Sequence, residues 1–440
     1  MTNLHETQLR FNPKIKIKTD DVQLSNNAGL LFYAEFKHAA GLDQTIDQAA
    51  AQLSEKRIGP HYSKTSLLNQ MLELNIAGYG NDVAADALQH DPVMKQVHGT
   101  TDLAPQTTIS RFLSALTCDD VLHLNRLILT LALDYIRTNH IDTVMLDVDS
   151  THYDTFGHQE AASFNAHYGV TGFHPLVAYI AQLNLLLGIK QRPGNQYTST
   201  GVKEFLAPIF AAFCELPFDV QLILRGDSGF ATPELYTLCE FYDVKYVIRL
   251  KRNAALDQLA DEFTPVVPKH FDQNSVIYGE FNYAAKSWSI DRRVLVKSTH
   301  QVGELFFERQ YVVTNMTEAG VKLLYLAYQK RGAMENLIKE SKAGFFMDKT
   351  NSHTFTTNAA RATISGIAYN LIALMKLMAL PKEQRNTTIS TLRFQIFHVA
   401  GKLARHAGKI IIHLAQSNVF SQQIEALLAN IHTLSPLVTN

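Results

Sequence analysis

The segment Thr143–Ser150, with the sequence TVMLDVDS, decides the fold class of this chain of 440 residues. Apolar and β-branched residues dominate it, which predicts a buried β-strand. Asp147 and Asp149 lie two residues apart in it, so their carboxylates point to the same face of the strand. An acidic residue at the end of such a strand is typical of the ligand-binding edge of an α/β sheet.

Strand and helix patterns alternate along the sequence that follows. The predicted strands are 163–170, 176–187, 220–224 and 245–250, and the predicted helices are 201–213 and 233–242. Strands that alternate with helices predict an α/β sheet covered by helices.

The regions outside this alternation have a different character. Residues 1–140 have mostly helical apolar spacing, whereas 252–318 contain alternating, aromatic-rich segments that predict an antiparallel β insertion. From residue 321 to the end the pattern is strongly helical. The most apolar stretch, 364–380, carries Asn370 and Lys376, which predicts a buried helix instead of a membrane span.

The composition restricts the class of protein. Lys and Arg number 40 against 41 Asp and Glu, with 46% hydrophobic and 18% charged residues, which excludes a disordered chain. A net charge of −1 also excludes a uniformly basic nucleic-acid coat, so a nucleic-acid site must be a local patch. The three cysteines form no C-x-x-C pair and the first residues show no secretory signal, so we expect a cytoplasmic protein.

Two further acidic residues complete a candidate metal site. Asp227 follows the predicted strand 220–224 in the sequence LILRGDSGF, and Glu335 lies in a predicted helix. Two carboxylates at strand ends and a third from a helix would provide the oxygen ligands that Mg²⁺ or Mn²⁺ prefers. Two such ions about 4 Å apart can activate a water or hydroxyl and stabilise the leaving oxygen of a phosphodiester.

The helix that contains Glu335 has a distinctive arrangement of charges. It reads YQKRGAMENLIKESK over residues 328–342, and its helical spacing places Arg331, Glu335 and Lys342 on one face with Tyr328 close by. A carboxylate between two cations suits a site that holds a metal and anchors phosphates. The alternative is an exposed helix whose Arg331–Glu335 pair contributes only about 0.3–0.5 kcal/mol.

The chain resembles the DDE transposases of bacterial insertion sequences, in the branch whose third acidic segment reads Tyr-x2-Arg-x3-Glu-x6-Lys. That spacing is matched by Tyr328, Arg331, Glu335 and Lys342. Residues 149–151 (DST) resemble the first acidic segment of this family, and residues 227–230 (DSGF) resemble the second. Residues 157–159 and 192–195 (RPGN) also resemble segments of these transposases, and the likeness covers roughly residues 100 to 375.

The resemblance implies an RNase H-like fold and a DNA-processing activity. It implies a helical DNA-binding region at 1–140, a catalytic core at 141–251 and 319–380 interrupted by the β-rich insertion, and a helical region at 381–440. Asp149, Asp227 and Glu335 would be the catalytic residues, ligands of two Mg²⁺ ions (with Mn²⁺ as a substitute). The implied activity is metal-dependent cleavage and joining of DNA.

The resemblance also implies partners. They are double-stranded DNA, as terminal inverted repeats and target DNA, and a second copy of the chain in a paired-end dimer. No membrane partner is expected. Tyr328, Arg331 and Lys342 would position phosphates.

Several assignments stay open at the level of sequence. Asp147 is an alternative to Asp149 as first acid, and Arg192 with Asn195 forms either a DNA contact or a structural turn. Trp288 either stacks on a base or packs a hairpin. A histidine metal site near His152 is a further, weaker reading.

One helix of the N-terminal region resembles part of a DNA-reading motif. Residues 104–116, APQTTISRFLSAL, resemble the second helix of a helix-turn-helix, which would place Arg111 on DNA. The alternative is an amphipathic helix that packs on its neighbours. From residue 331 to 409 basic residues outnumber acidic ones, which is consistent with a local phosphate-binding surface.

Overall fold

The computed structural model of the chain describes residues 7–17, 23–54, 61–265, 267–415 and 418–437. The helices are α1 (Leu30–Ala39), α2 (Leu42–Ala51), α3 (Lys64–Ala77), α4 (Ala84–Leu88), α5 (Pro92–His98), α6 (Gln106–Ala115), α7 (Cys118–Thr138), α8 (Val202–Cys214), α9 (Pro233–Phe241), α10 (Ala254–Ala260), α11 (Val321–Gln329), α12 (Ala333–Lys339), α13 (Phe355–Ala379), α14 (Ile389–Leu392) and α15 (Ser421–His432). The strands are β1 (Thr7–Gln8), β2 (Lys16–Ile17), β3 (Leu24–Ser25), β4 (Thr143–Ser150), β5 (Tyr153–Asp154), β6 (Ser163–Asn165), β7 (Val170–Phe173), β8 (Leu176–Ile180), β9 (Leu185–Lys190), β10 (Gln221–Gly226), β11 (Lys245–Leu250), β12 (Ser275–Tyr283), β13 (Arg292–His300), β14 (Glu308–Thr314), β15 (Gly401–His406) and β16 (Lys409–Leu414).

A large mixed sheet organises the fold. Its strand order is β12-β13-β14-β11-β10-β4-β8-β9. Strands β4, β10 and β11 are parallel, β8 pairs with β4 in antiparallel fashion, and β9 pairs with β8 in antiparallel fashion, so β9 runs in the same direction as β4. The five strands from β9 to β11 therefore run 3-2-1-4-5 in sequence order, which is the RNase H-like arrangement. The prediction of a mixed α/β sheet with flanking helices is confirmed.

Two segments whose sequence predicts a single strand each form hairpins instead. Residues 163–170 contain β6 and the start of β7, and residues 176–187 contain β8 and the start of β9. Each prediction missed a turn made by a residue with positive φ, Gly169 at 70° and Asn184 at 56°. Such conformations are accessible to glycine and tolerated by asparagine, so the chain reverses there.

The β-rich insertion joins the central sheet. Its strands β12, β13 and β14 are antiparallel, as predicted, and β14 pairs with β11 over the register Val247↔Thr314 to Leu250↔Tyr311. This pairing covers the backbone groups of β11, which would otherwise form an exposed edge. The insertion thus extends the sheet that carries the acidic residues.

Helix α13 lies in the core against α7, α3 and β9. Its Asn370 side chain accepts a hydrogen bond from the Leu186 backbone N–H (2.8 Å) and donates one to the Leu186 carbonyl (2.7 Å), so it satisfies backbone groups of the outer strand β9. Among the described residues, α13 is the one helix long and apolar enough to cross a membrane by length and composition, and 83% of its most apolar window is buried inside the protein.

The C-terminal region is not purely helical, which corrects the sequence prediction for residues 381–440. Strands β15 and β16 form a hairpin, and β15 also pairs with β3 near the N-terminus. Ala407 and Gly408 both have positive φ (50° and 77°), as a two-residue hairpin turn requires. The isoleucines 410–412 of β16 favour a strand, a signal that the helical reading overlooked.

Candidate active site

The ends of the parallel strands β4 and β10 bring two aspartates together. The strands are paired with Asp147 opposite Arg225, so Asp149 and Asp227 lie level with each other two residues further on. One carboxylate oxygen of Asp149 accepts a hydrogen bond from the Ser150 N–H (2.8 Å), and one of Asp227 accepts from the Gly229 N–H (2.8 Å). Backbone donors therefore fix both carboxylates at this edge of the sheet.

The electrostatic state of Asp149 reflects this crowding. Burial raises the pKa of Asp149 from its ordinary 3.8 to about 6, against the opposing effect of the nearby Arg331 guanidinium. The negative charge of Asp227 raises the pKa further, because two carboxylates repel each other at short range. A bound cation would relieve that repulsion.

The raised pKa predicts a pH-dependent contribution of Asp149 to stability. Its proton is bound more tightly in the folded than in the unfolded chain, so the contribution is full below pH 3.8 and is lost as the pH rises through about 6. Urea unfolding of wild type and Asp149→Asn between pH 4 and pH 7, without metal, measures it. We expect the asparagine variant to gain stability relative to wild type as the pH rises; a constant difference would contradict the assignment.

Asp147 has a different role. Its side chain is fully buried, and its two oxygens accept hydrogen bonds from the Arg225 guanidinium at 2.6 and 2.7 Å. Arg225 donates a further bond to the Ala327 carbonyl (2.5 Å), at the end of α11. This geometry favours Asp149 as the first acid, because both oxygens of Asp147 are already occupied. It also ties to the sheet the continuous helical segment 321–344, called the motif helix, which contains α11 and α12.

The motif helix changes geometry along its length. A 3₁₀ turn, Lys330–Gly332, separates α11 from α12, and a π-helical turn, Glu340–Gly344, follows α12. Arg331 lies in the first turn, with its Nη2 atom 2.8 Å from Oδ2 of Asp149. The contact is an ion pair without hydrogen-bond geometry, since Nη2 and Nε of Arg331 have no hydrogen-bond partner although both are buried.

Glu335 is exposed and does not complete a three-carboxylate site in this structure. Within the described ranges, no three His, Cys, Asp or Glu side chains lie close enough to hold one metal ion together. The structure therefore brings together Asp149, Asp227 and Arg331, with Glu335 one helical turn after Arg331 on the same stripe of the helix.

The other two motif residues border the same region. Tyr328 is half-buried, and burial raises its pKa. The positive charge of Arg331 lowers that pKa, whereas the negative charges of Asp227 and Asp149 raise it. The Nζ atom of Lys342 donates a hydrogen bond to the His152 carbonyl (2.7 Å), just beyond β4. The sequence spacing predicted Arg331, Glu335 and Lys342 on one face with Tyr328 close by; Arg331 contacts Asp149, Lys342 contacts the His152 carbonyl, and Glu335 is exposed.

Tyr168 is a site residue that sequence reasoning missed. Burial raises its pKa, and the charges of Asp149 and Asp227 raise it further, so it is within electrostatic range of the aspartate pair. Its ring packs against those of His152 and His174, with centroids 5.0 and 5.9 Å away. The one sequence signal nearby is the turn at Gly169, which gives no indication that the β6–β7 hairpin would lie over the acidic residues.

Arg192 forms a structural turn. It is buried, its Nε donates to the His174 carbonyl (2.8 Å), and its Nη1 donates to the carbonyls of Tyr197, Thr198 and Thr200 (3.1, 3.1 and 2.6 Å). Burial lowers its pKa to about 10. These contacts favour the structural-turn alternative over a DNA contact, whereas Asn195 in the same turn is exposed.

Replacement of Arg192 tests this reading. We expect Arg192→Met to lower the free energy of unfolding by about 2–4 kcal/mol, because several buried carbonyls lose a charged donor. Asn195→Ala, at an exposed position of the same turn, should change it by less than about 0.5 kcal/mol. Urea unfolding measures both, and an unchanged stability of Arg192→Met would contradict the structural role.

Trp288 and Arg111 also have clear positions. The Trp288 ring packs edge-on against Tyr236 and Tyr283, with centroids 5.2 and 5.5 Å away, and lies near the Arg292 guanidinium, which favours the hairpin-packing alternative.

Arg111 is exposed on α6, whose opposite face is buried. The loop 99–105 between α5 and α6 is longer than the three to four residues typical of a helix-turn-helix, so the geometry favours a packing helix.

Two arginines of the C-terminal third bind to other parts of the protein. Arg361 makes a bidentate ion pair with Asp82 (2.7 and 2.6 Å), and Arg393 donates to the carbonyls of Asn75, Ile76 and Gly344. These two arginines hold helices together and are not available to phosphates. The predicted basic surface is therefore smaller than the sequence count indicates.

The sequence profile of the transposase DDE domain group 1 matches residues 7–436. The chain is a DDE transposase family member. Transposases of this family normally use divalent metal ions, and two convergent aspartates at adjacent strand ends are consistent with that membership. A comparison with curated proteins gives no match.

A transposase complex with DNA is among the solved structures that match this chain. It is described as a cryo-EM structure of the piggyBac transposase synaptic complex with hairpin DNA. The match has 10% sequence identity and a TM-score of 0.43, and it covers 94% of this chain and 86% of that chain.

Proposed function

We propose that the protein cleaves DNA at the terminal inverted repeats of an insertion sequence and joins the freed 3′-hydroxyl ends to target DNA. The observation that carries the proposal is the pair Asp149, in β4, and Asp227, directly after the neighbouring parallel strand β10, in a chain whose DDE transposase profile spans nearly its full length. We also propose that the protein acts in the cytoplasm, as a homodimer that holds two element ends together.

The residues at the site fit a divalent cation in part. Asp149 and Asp227 supply two carboxylates whose mutual repulsion a cation would relieve, while the third carboxylate, Glu335, is not assembled with them. We propose these three acids as the ligands of Mg²⁺ or Mn²⁺. When bound, such ions make water or a hydroxyl a better nucleophile and neutralise charge on the leaving oxygen.

The surrounding side chains have distinct tasks in this proposal. Arg331 and Lys342 supply positive charge for the phosphates that flank the cleaved bond, and Tyr328 lies within electrostatic range of Arg331 and both aspartates. The buried Asp147–Arg225 pair holds the end of α11 at the sheet edge. Exposed Arg111 and Asn195 remain candidates for contacts to DNA outside the cleavage site.

Two rival functions make different predictions. A metal-dependent nuclease of the same fold would cut strands without joining them. A catalytically silent DNA-binding regulator would bind element ends and do neither, although it would have no need for the aspartate pair.

A strand-transfer assay separates these functions. The purified chain is incubated in Mg²⁺ with pre-cleaved duplex ends, taken from DNA that flanks its coding region, and a supercoiled target plasmid. We expect joined products that depend on the 3′-hydroxyl. In a parallel reaction with intact ends, cleavage without any joined product would favour the nuclease, and binding with neither reaction would favour the regulator. Terminal inverted repeats around the coding region would independently support the transposase.

A further inference from the structure

Arg331 occupies one of the carboxylates that the proposed function assigns to a metal ion. Its Nη2 atom lies 2.8 Å from Oδ2 of Asp149, and the two side chains are only 14% and 17% exposed. A cation coordinated by that oxygen would lie within a few ångströms of the guanidinium, where two positive charges repel strongly. The ion pair and a bound divalent ion are therefore competing partners of Asp149.

The guanidinium is held by charge and not by a network of hydrogen bonds. Its Nε and Nη2 atoms are buried without a hydrogen-bond partner. The contrast is Arg225, whose guanidinium makes two short bonds to Asp147 and a third to the Ala327 carbonyl. An arginine with unused buried donors can be drawn to a better acceptor, and a phosphodiester offers one because it accepts two parallel hydrogen bonds from a guanidinium.

The helix around Arg331 lines a cleft on its far side and is held there near its C-terminal end, where Glu340 accepts a hydrogen bond from the Ile389 N–H (2.6 Å). At about 100° per residue, Arg331, Glu335 and Lys342 share one stripe, and the opposite face lines a cleft of about 830 Å³. The cleft residues of the motif helix are Ala333, Asn336, Leu337, Lys339, Glu340, Ala343 and Gly344. The 3₁₀ and π-helical turns on either side of α12 mark breaks in its hydrogen-bond pattern, which is where helices bend.

We infer that Arg331 makes metal binding conditional on DNA. In the free protein it pairs with Asp149 and weakens the affinity of the aspartate pair for a divalent cation. When DNA binds, a phosphate takes the guanidinium and releases Asp149, and Glu335 is the next acidic group on the same stripe. The inference rests on the proposed function and adds a regulatory step, which would prevent metal-activated cleavage in the absence of DNA.

Mn²⁺ binding to the full chain without DNA tests the inference, with free Mn²⁺ followed by its paramagnetic resonance signal. We expect Arg331→Gln to lower the Kd for Mn²⁺ at least tenfold relative to wild type. Lys330→Gln removes the same charge from the neighbouring exposed residue and should leave the Kd within twofold. Adding Asp149→Asn to Arg331→Gln should abolish the gain, because the released ligand is then missing.

The second measurement repeats the Mn²⁺ titration in the presence of duplex DNA with the sequence of an element end. After subtraction of Mn²⁺ bound by DNA alone, duplex should lower the Kd of wild type at least tenfold and that of Arg331→Gln less than threefold. Equal Kd values for wild type, Arg331→Gln and Lys330→Gln would overturn the inference, as would tight Mn²⁺ binding by DNA-free wild type. If Arg331→Gln fails to fold, as judged by circular dichroism, the wild-type response to duplex decides alone.

Failure of this inference differs from failure of the proposed function. Mn²⁺ binding requires no strand cleavage, so Arg331 can fail as a gate in a protein that still joins pre-cleaved ends. A chain that never joins ends would instead refute the transposase proposal, whatever its Mn²⁺ affinity.

Discussion

Asp227→Ala is expected to reduce metal-dependent strand cleavage by at least about 1000-fold while leaving binding of element ends largely intact. Asp227 is level with Asp149 at the edge of the sheet, with one carboxylate oxygen held by the Gly229 N–H and the other available to a cation. Its removal deletes one of the two aspartates proposed as metal ligands, without disturbing the buried core. Asp149→Ala and Glu335→Ala should have the same effect.

The measurement is a cleavage time course in Mg²⁺ on labelled element-end duplex, paired with a gel-shift titration of the same duplex. Asp272→Ala, which removes an exposed aspartate of the β insertion, is the matched control and should cleave like wild type. Full cleavage by Asp227→Ala would refute the site. Full cleavage by Glu335→Ala alone would restrict the metal ligands to the two aspartates.

Arg225→Met is expected to lower the free energy of unfolding by about 3–5 kcal/mol, because it leaves the fully buried Asp147 carboxylate without its partner. Arg225 makes two bonds to Asp147 and one to the Ala327 carbonyl, so the loss also frees the end of α11. Urea unfolding at pH 7 measures the effect. We expect weaker cleavage as well, since α11 leads directly into Arg331.

Arg249→Met is the matched control on the neighbouring strand β11, where the arginine is exposed, and it should cost less than about 0.5 kcal/mol. The double variant Asp147→Leu with Arg225→Met should recover much of the lost stability, since replacing both members of a buried ion pair by apolar groups is often neutral. A cost for Arg225→Met no larger than that for Arg249→Met would contradict the role of the pair.

Local sequence patterns predicted the elements that carry the site. The strand Thr143–Ser150 and the strand Lys245–Leu250 have the bounds expected from their apolar and β-branched composition. The spacing of Arg331, Glu335 and Lys342 predicts a shared helix face with Tyr328 close by, because helical periodicity is a local property. The hairpin β15–β16 was missed, since a helical reading of the C-terminal region gave too little weight to its turn and its isoleucines.

The sequence by itself therefore determined the α/β class, the strand ends that bear Asp149 and Asp227, and the helix stripe that bears Arg331 and Glu335. Only the tertiary structure decided how these residues are used. Both oxygens of Asp147 accept hydrogen bonds from Arg225, which is 78 residues away in sequence. Arg331 contacts Asp149, and Glu335 is exposed. The physical reason is that periodicity depends on neighbours along the chain, whereas pairing, burial and desolvation depend on residues that only folding brings together.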